Sequence, residues 1–320
     1  MKLNRIYSFL KTDIDQIEKE LETAIESDSR LLNQASLHLL QAGGKRIRPV
    51  FVLLSAKFGE YDIDSVKNAA VALELIHMAS LVHDDVIDDA ELRRGKPTIK
   101  SQWDNRIAMY TGDYIFARGL EYMTHIKNPE AHQILSHTIV ELCKGEIAQI
   151  KDKYRCDQNL RDYLLRIKRK TALLIAVSCQ LGAIASGAPE EVHRRLFRFG
   201  YNVGMSYQIT DDILDLTASE EELGKPAGSD LWQGNITLPI LYAMEDPSLR
   251  ADIERVSQET PAEEMKEVIA AILASDAIER SHRVSRMYLD KALEDLDQLP
   301  QNRAKKTLKN VANFIGKRKY

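Results

Sequence analysis

His83-Asp84-Asp85-Val86-Ile87-Asp88-Asp89 crowds ionisable side chains into one short stretch, directly after the apolar run from Val71 to Val82. On a helix, Asp84 and Asp88 lie one turn apart and project from the same face, and Asp85 and Asp89 repeat that spacing one residue round. Like charges at this spacing cost an isolated helix about 0.2–0.5 kcal/mol per pair, so the cluster calls for a cation. Oxygen-only ligands select Mg²⁺, Mn²⁺ or Ca²⁺ over zinc or copper. Read alone, the cluster fits a solvated acidic helix end equally well. The DDxxD spacing returns, however, at Asp211-Asp212-Ile213-Leu214-Asp215, again after a mostly apolar stretch, Val203 to Thr210. Two acidic helix faces rooted in apolar sequence are expected to approach each other across a cavity. Bridging metal ions would then hold a polyanion, as Mg²⁺ does when it joins carboxylates to substrate phosphates. The pair is far more specific than either copy.

Cationic and polar residues recur beside these motifs. Gly43-Gly44-Lys45-Arg46-Ile47-Arg48-Pro49 combines cations, backbone amides and a helix start, a suitable phosphate cradle, though a solvated basic turn has the same composition. Arg93-Arg94-Gly95-Lys96-Pro97-Thr98 reads as a loop just past the first motif, with arginines able to grip phosphate oxygens in pairs. His77 lies two turns before Asp84 and shares its face; the alternative is a satisfied core histidine. Lys170-Thr171 can donate to phosphate or belong to a surface helix face. Gln208 stands three residues before Asp211, and Lys225-Pro226-Ala227-Gly228-Ser229-Asp230 is another candidate phosphate loop.

The elements that position these groups read as helices. Ile14, Ile17, Leu21 and Ile25 form an amphipathic stripe. Further helices are expected over Arg30 to Ala42, Val50 to Phe58, Val66 into the first motif, Asp104 to Met123, Pro129 to Ile150, Leu160 to Ala188 and Glu191 to Thr217, with more to the end. No convincing strand alternation, linker or repeat appears, so the expected fold is all-α, one domain over residues 1–320. The uncharged run Thr171 to Ala188 is long enough for a membrane span, but Ser178, Gln180, Gly182, Ser186 and Gly187 argue for a buried core helix. Asp13 and Asp15 follow Lys2 and Arg5 before any long apolar core, so no signal peptide is expected. A net charge of −4 gives no global attraction for nucleic acid or anionic membrane. Cys143, Cys156 and Cys179 lack CxxC pairing and fit reduced thiols in a cytoplasmic chain. A di-iron bundle is a rival, since Glu74…His77, Glu190…His193 and Glu279…His282 match Glu-x-x-His. It leaves both DDxxD clusters and every basic loop unused.

Gly44-Lys45-Arg46-Ile47-Arg48-Pro49, Asp84-Asp85-Val86-Ile87-Asp88 with Arg93-Arg94, Lys170-Thr171, Gln208, Asp211-Asp212-Ile213-Leu214-Asp215 and Gly224-Lys225 together resemble the trans-polyprenyl diphosphate synthases. The motifs stand in the family's order across essentially the whole chain, and the likeness is greatest to the catalytic subunit of its two-component branch. The resemblance implies an isoprenoid-synthase helical bundle around a deep central cavity. It implies that Asp84, Asp88, Asp211 and, partly through water, Asp215 hold three Mg²⁺ ions (or Mn²⁺) on an allylic diphosphate also contacted by Arg93, Lys170 and Lys225. Lys45, Arg48, His77 and Arg94 would hold the diphosphate of isopentenyl diphosphate, and Thr171 and Gln208 would lie near the reacting carbons. The allylic partner would be farnesyl diphosphate or longer, the product C30–C35, heptaprenyl diphosphate for menaquinone.

In the family, bulky aromatics four or five residues before the first Asp stop short products; here those positions are the small Ser80 and Ala79, so the tunnel should stay open beyond C20. Its floor is expected on Ile115 to Met123. One departure stands out. Where many members have lysine in Gly-Lys-x-Thr-Leu-Pro, this chain has Asn235, in Gly234-Asn235-Ile236-Thr237-Leu238-Pro239. One phosphate contact is lost, which fits a subunit that works with a smaller, non-catalytic partner, besides a possible homodimer. A terpene cyclase would usually lack the Lys45/Arg48 loop and the second DDxxD, and a silent subunit would have no reason to keep both acidic motifs.

Overall fold

The computed structural model describes residues 3–219 and 226–316. Lys225 and the C-terminal Lys317-Arg318-Lys319-Tyr320 lie outside the described residues. The chain packs as two compact units, one drawn from Met1–Ile134, Ser178–Leu196 and Pro300–Leu308, the other from Leu135–Val177, Phe197–Leu299 and Lys309–Tyr320.

In the first unit, α1 (Lys11–Ala24) buries Ile17, Leu21 and Ala24, the inner half of its stripe. Helix α2 (Arg30–Gln41) is N-capped by Ser29 and followed by Gly43 with φ of 79°, the left-handed residue a helix exit favours. Helix α3 (Ile47–Ala56) is buried from Pro49 to Ala56. Helix α4 (Ile63–Ile87) starts at the Asp62 cap, whose side chain accepts from the amides of Asp64 and Ser65, and carries the first acidic motif in its last turn. It runs against α5 (Asn105–Met123). Two glycines one heptad apart permit that approach: a Cβ on Gly119 would stand 3.1 Å from Ile76 Cγ1 and 3.2 Å from the Ala72 carbonyl, and one on Gly112 would collide with the His83 ring.

Between them, the stretch expected as a loop is a minimal hairpin, with β1 (Leu92–Arg93) antiparallel to β2 (Lys96–Pro97). Arg94 and Gly95 at its tip have φ of 54° and 75°, the left-handed pair of a two-residue hairpin turn. These are the strands found among the described residues.

In the second unit, α6 (Pro129–Asp152, which begins in the first unit) precedes α7 (Leu160–Ile167). The helix expected as continuous over Leu160 to Ala188 is interrupted. A π turn over Lys168–Ala172 separates α7 from α8 (Leu173–Ala185). Helices are packed tightly on the turn: a Cβ on Gly145 would stand 2.7 Å from Arg169 Cβ, and one on Gly204 2.6 Å from Ala172 Cα. Such one-turn widenings recur at functional sites. Helix α9 (Glu190–Thr217) carries the second acidic motif near its C-terminus. Tyr163, Ile167, Ala172, Met205, Ile209, Ile213 and Leu238 form the core beneath it. A short helix, α10 (Ser229–Trp232), and then α11 (Ala277–Asp297) follow among others. Among the described residues, no helix is long and apolar enough to cross a membrane; the uncharged run is buried from Thr171 to Ile184.

Candidate active site

Both acidic motifs occupy the last turns of long helices. There the unpaired carbonyls and the helix dipole add negative potential, which compounds the carboxylate repulsion and favours a bound cation. In the first unit, Asp84 and Asp88 keep the one-turn relation, the Asp88 amide donating to the Asp84 carbonyl at 2.8 Å. The second pairing expected from the sequence does not hold. Asp89 lies past the helix end with φ of 52° and is ion-paired to Lys100, which also meets Glu91 at 3.2 Å. Asp85 turns inward instead. It is 3% exposed and is gripped by Arg93, whose Nε lies 2.8 and 3.0 Å from its two oxygens and Nη2 2.7 Å from Oδ1.

The hairpin carrying Arg93 and Arg94 is fastened to the end of α2. Lys96 Nζ donates to the Gln41 carbonyl at 2.7 Å, and His38 Nε2 meets the Pro97 carbonyl at 2.7 Å. This brings it to the Gly43–Pro49 loop, where the Arg94 and Arg46 guanidinium groups converge on Gly44. A Cβ there would stand 2.8 Å from Arg94 Nη1 and 2.9 Å from Arg46 Nη1.

Arg46 itself is committed inward. Its backbone is left-handed (φ 47°), its side chain is buried, and it pairs with Glu18 and, at 3.2 Å, with Glu74. Lys45 and Arg48 flank this anchor. Half-buried His77 lies in the same field. Burial first, and then the charges of Arg48, Arg94, Arg93 and Arg46, hold its imidazole neutral, well below the usual histidine range. Loop, hairpin and α4 therefore gather Arg48, His77 and Arg94 into one cationic region, with Lys45 on its loop. Ala79, buried, and Ser80, half-buried, follow His77 on α4, the Ser80 hydroxyl donating to the His77 carbonyl at 2.8 Å.

In the second unit, the π turn sets Lys170 and Thr171. Lys170 Nζ donates to Gln149 at 2.8 Å, and the Thr171 hydroxyl donates to Gln208 Oε1 at 2.6 Å. Gln208 Nε2 donates to Asp212 Oδ1 at 2.8 Å, and the Tyr163 hydroxyl donates to Asp212 Oδ2 at 2.6 Å. Asp212 is 4% exposed. Burial, then the charge of Asp230, push its carboxyl up to about 8, against the Tyr163 and Gln208 hydrogen bonds.

Asp215 is buried as well. Its oxygens accept from the Ser229 hydroxyl at 2.9 Å and the Asp230 amide at 3.1 Å, while its carbonyl accepts from the Gly228 amide at 2.7 Å. Lys170, Gln208, Asp211, Asp212, Asp215 and Asp230, with Asn235 beside them, line a cavity of about 180 Å³. Sequence reasoning had no reason to single out Asp230 or Tyr163; a Gly-Ser-Asp turn and one more core tyrosine carry no distinctive signal.

Among the described residues, no three His, Cys, Asp or Glu side chains form a ready-made metal cage. The donor set nevertheless fits a hard cation. Mg²⁺ is usually held by one or two carboxylates, its waters and substrate phosphates, and each motif presents aspartate oxygens at a negative helix end.

The profile of the family described as polyprenyl synthetase matches residues 29–273. The heptaprenyl diphosphate synthase component 2 of Bacillus subtilis is 65% identical over 320 residues, covering 100% of this chain and 92% of that protein. The crystal structure of heptaprenyl diphosphate synthase from Staphylococcus aureus superposes with a TM-score of 0.93 at 46% identity, covering 97% of this chain and 98% of that one. A polyprenyl synthase from Caulobacter crescentus, complexed with calcium and isoprenyl diphosphate, superposes at 0.94 with 30% identity, covering 99% and 98%.

Proposed function

The chain belongs to the polyprenyl synthetase family, and on that premise we propose that it is a Mg²⁺-dependent prenyltransferase that extends farnesyl and longer allylic diphosphates with isopentenyl diphosphate to C30–C35, heptaprenyl diphosphate for menaquinone. The observation that carries this reading is the grouping in the first unit. A DDxxD helix end adjoins a hairpin and loop that collect Arg48, His77 and Arg94, which is the charge arrangement a diphosphate and its cation require. Calcium with isoprenyl diphosphate in the Caulobacter neighbour supports it.

In this reading, residues 1–320 serve one reaction. Asp84, Asp88 and Asp211 hold the metal ions on the allylic diphosphate, three in number by resemblance. Asp215 would act partly through water, its oxygens also accepting from the Ser229 hydroxyl and the Asp230 amide. When bound there, Mg²⁺ (or Mn²⁺) would supply positive charge to offset the negative charge developing on the departing pyrophosphate. Arg93, Lys170 and Lys225 add positive charge at the same group, so the allylic C–O bond breaks with its electron pair leaving on pyrophosphate. Lys45, Arg48, His77 and Arg94 hold isopentenyl diphosphate. The neutral imidazole donates a hydrogen bond there without adding charge. The alkene carbon C4 then bonds to the allylic carbon, and a proton leaves C2 for the released pyrophosphate.

Asn235 in place of lysine leaves the allylic group less firmly held. This supports a smaller, non-catalytic partner subunit, as the name component 2 of the Bacillus relative suggests for that protein. Homodimerisation is compatible with it. Unpaired thiols at Cys143, Cys156 and Cys179 favour the cytoplasm.

Chromatography of products from labelled isopentenyl diphosphate and farnesyl diphosphate, with and without candidate small subunits, tests the reading; no prenyl product in either arm refutes it. Ala79→Tyr should shorten the product, and unchanged chain length would mean that the growing tail runs elsewhere.

A further inference from the structure

We propose that Tyr163 is a positioning residue for prenyl transfer: by donating its hydroxyl hydrogen to Asp212, it fixes the orientation of the Gln208 amide and, through it, that of the Thr171 hydroxyl. This rests on the reading above, in which the second acidic motif and its neighbours handle the allylic diphosphate.

Counting donors and acceptors carries the inference. Asp212 accepts through both of its oxygens, and an amide nitrogen can only donate. Tyr163 occupies one of its oxygens at 2.6 Å, and Gln208 Nε2 reaches the other at 2.8 Å. The Gln208 oxygen must then face away from Asp212, and there it receives the Thr171 hydroxyl hydrogen at 2.6 Å. Thr171 has one hydrogen to give, and it is spent in this bond. The lone pairs that remain on Thr171 Oγ1 and Gln208 Oε1 are therefore the ends available to an allylic carbon as it becomes positive. Reversing the Gln208 amide would turn N–H groups toward Thr171 and lose that polarity.

Nothing in the surrounding core calls for a hydroxyl. The Tyr163 ring is fully buried among Ile167, Ala172, Met205, Ile209, Ile213 and Leu238, where phenylalanine would fill the same space. A hydroxyl placed there is costly unless it is bonded, and Asp212 is its partner. With both carboxylate oxygens taken, Asp212 is held against rotation. With one released, it can swing and accept Gln208 in more than one pose.

The test is Tyr163→Phe, assayed with labelled isopentenyl diphosphate and farnesyl diphosphate in whichever form turns over, the chain alone or with its small subunit. We expect kcat to fall about tenfold while KM for both substrates stays within about twofold and Tm within about 2 °C. In a Gln208→Ala background, where no amide remains to be oriented, the same substitution should cost less than about twofold. Unchanged kcat overturns the inference, as does an equal loss in both backgrounds. A Tyr163→Phe chain that loses Tm without losing kcat, or cannot be obtained folded, also overturns it, by making the hydroxyl a structural group. A wild-type chain inactive on these substrates, with and without the small subunit, would instead refute the functional reading itself.

Discussion

The two acidic motifs share a sequence pattern and a place at the end of a long helix, yet they are built oppositely. In both, the middle aspartate turns into the protein, Asp85 at 3% exposure and Asp212 at 4%. Asp85 meets a guanidinium, so its charge is offset before any ligand arrives. Asp212 is held by a tyrosine hydroxyl and a glutamine amide, and its carboxyl rises to about 8. The third aspartates differ too. Asp88 ends its helix half-buried, whereas Asp215 is drawn under the loop that starts α10. Identical spacing thus yields one motif whose buried aspartate is offset by a guanidinium and one whose buried aspartate is held only by neutral donors, its carboxyl pushed toward the protonated form.

If the outer aspartates of the first motif are metal ligands and the inner one is an anchor, Asp84→Ala carries the largest effect. Turnover should fall at least about 100-fold, the scale on which removing one charge-stabilising group acts, with the fold intact by circular dichroism. Near-normal turnover would remove the metal assignment and with it the contrast between outer and inner positions.

Arg93→Lys probes the compensated side. Lysine keeps the charge but cannot offer Nε and Nη2 together to Asp85. Turnover should drop about tenfold and Tm by a few degrees, because a buried carboxylate loses its paired grip. The same Tm as wild type would show that Asp85 does not depend on that geometry.

What could be read from the chain alone follows from the range of the interactions. The helices and the one-turn spacing of Asp84 and Asp88 depend on neighbours within a few residues, and they were legible. The gathering of Arg48, His77 and Arg94 was legible only through the resemblance to the family, because the basic loop and His77, read by themselves, fit a solvated turn and a core histidine as well. Which of two adjacent aspartates turns inward was not, since it is decided by Arg93 in one case and by Tyr163, 49 residues away, in the other. Likewise Arg46, indistinguishable by type from Arg48, is consumed by Glu18 and Glu74, each 28 residues distant. The π turn at Lys168–Ala172 arises where Gly145 and Gly204 admit close neighbours, and the hairpin places a non-glycine residue, Arg94, at positive φ. Neither leaves a periodic trace, so a continuous helix and a plain loop were the natural expectations.

Asp215→Asn gives the smallest effect and separates two roles for the third aspartate. Asparagine keeps one acceptor oxygen, so it can satisfy Ser229 or the Asp230 amide but not both. If Asp215 mainly shapes the Gly228–Asp230 turn and reaches the metal through water, turnover at saturating Mg²⁺ should fall only about three- to fivefold, the scale of one lost hydrogen bond. The Mg²⁺ concentration for half-maximal rate should then move less than about threefold. A direct ligand would behave like Asp84, with the Mg²⁺ requirement shifted by more than about tenfold. That result would make the third positions of the two motifs equivalent and confine their difference to the middle aspartates.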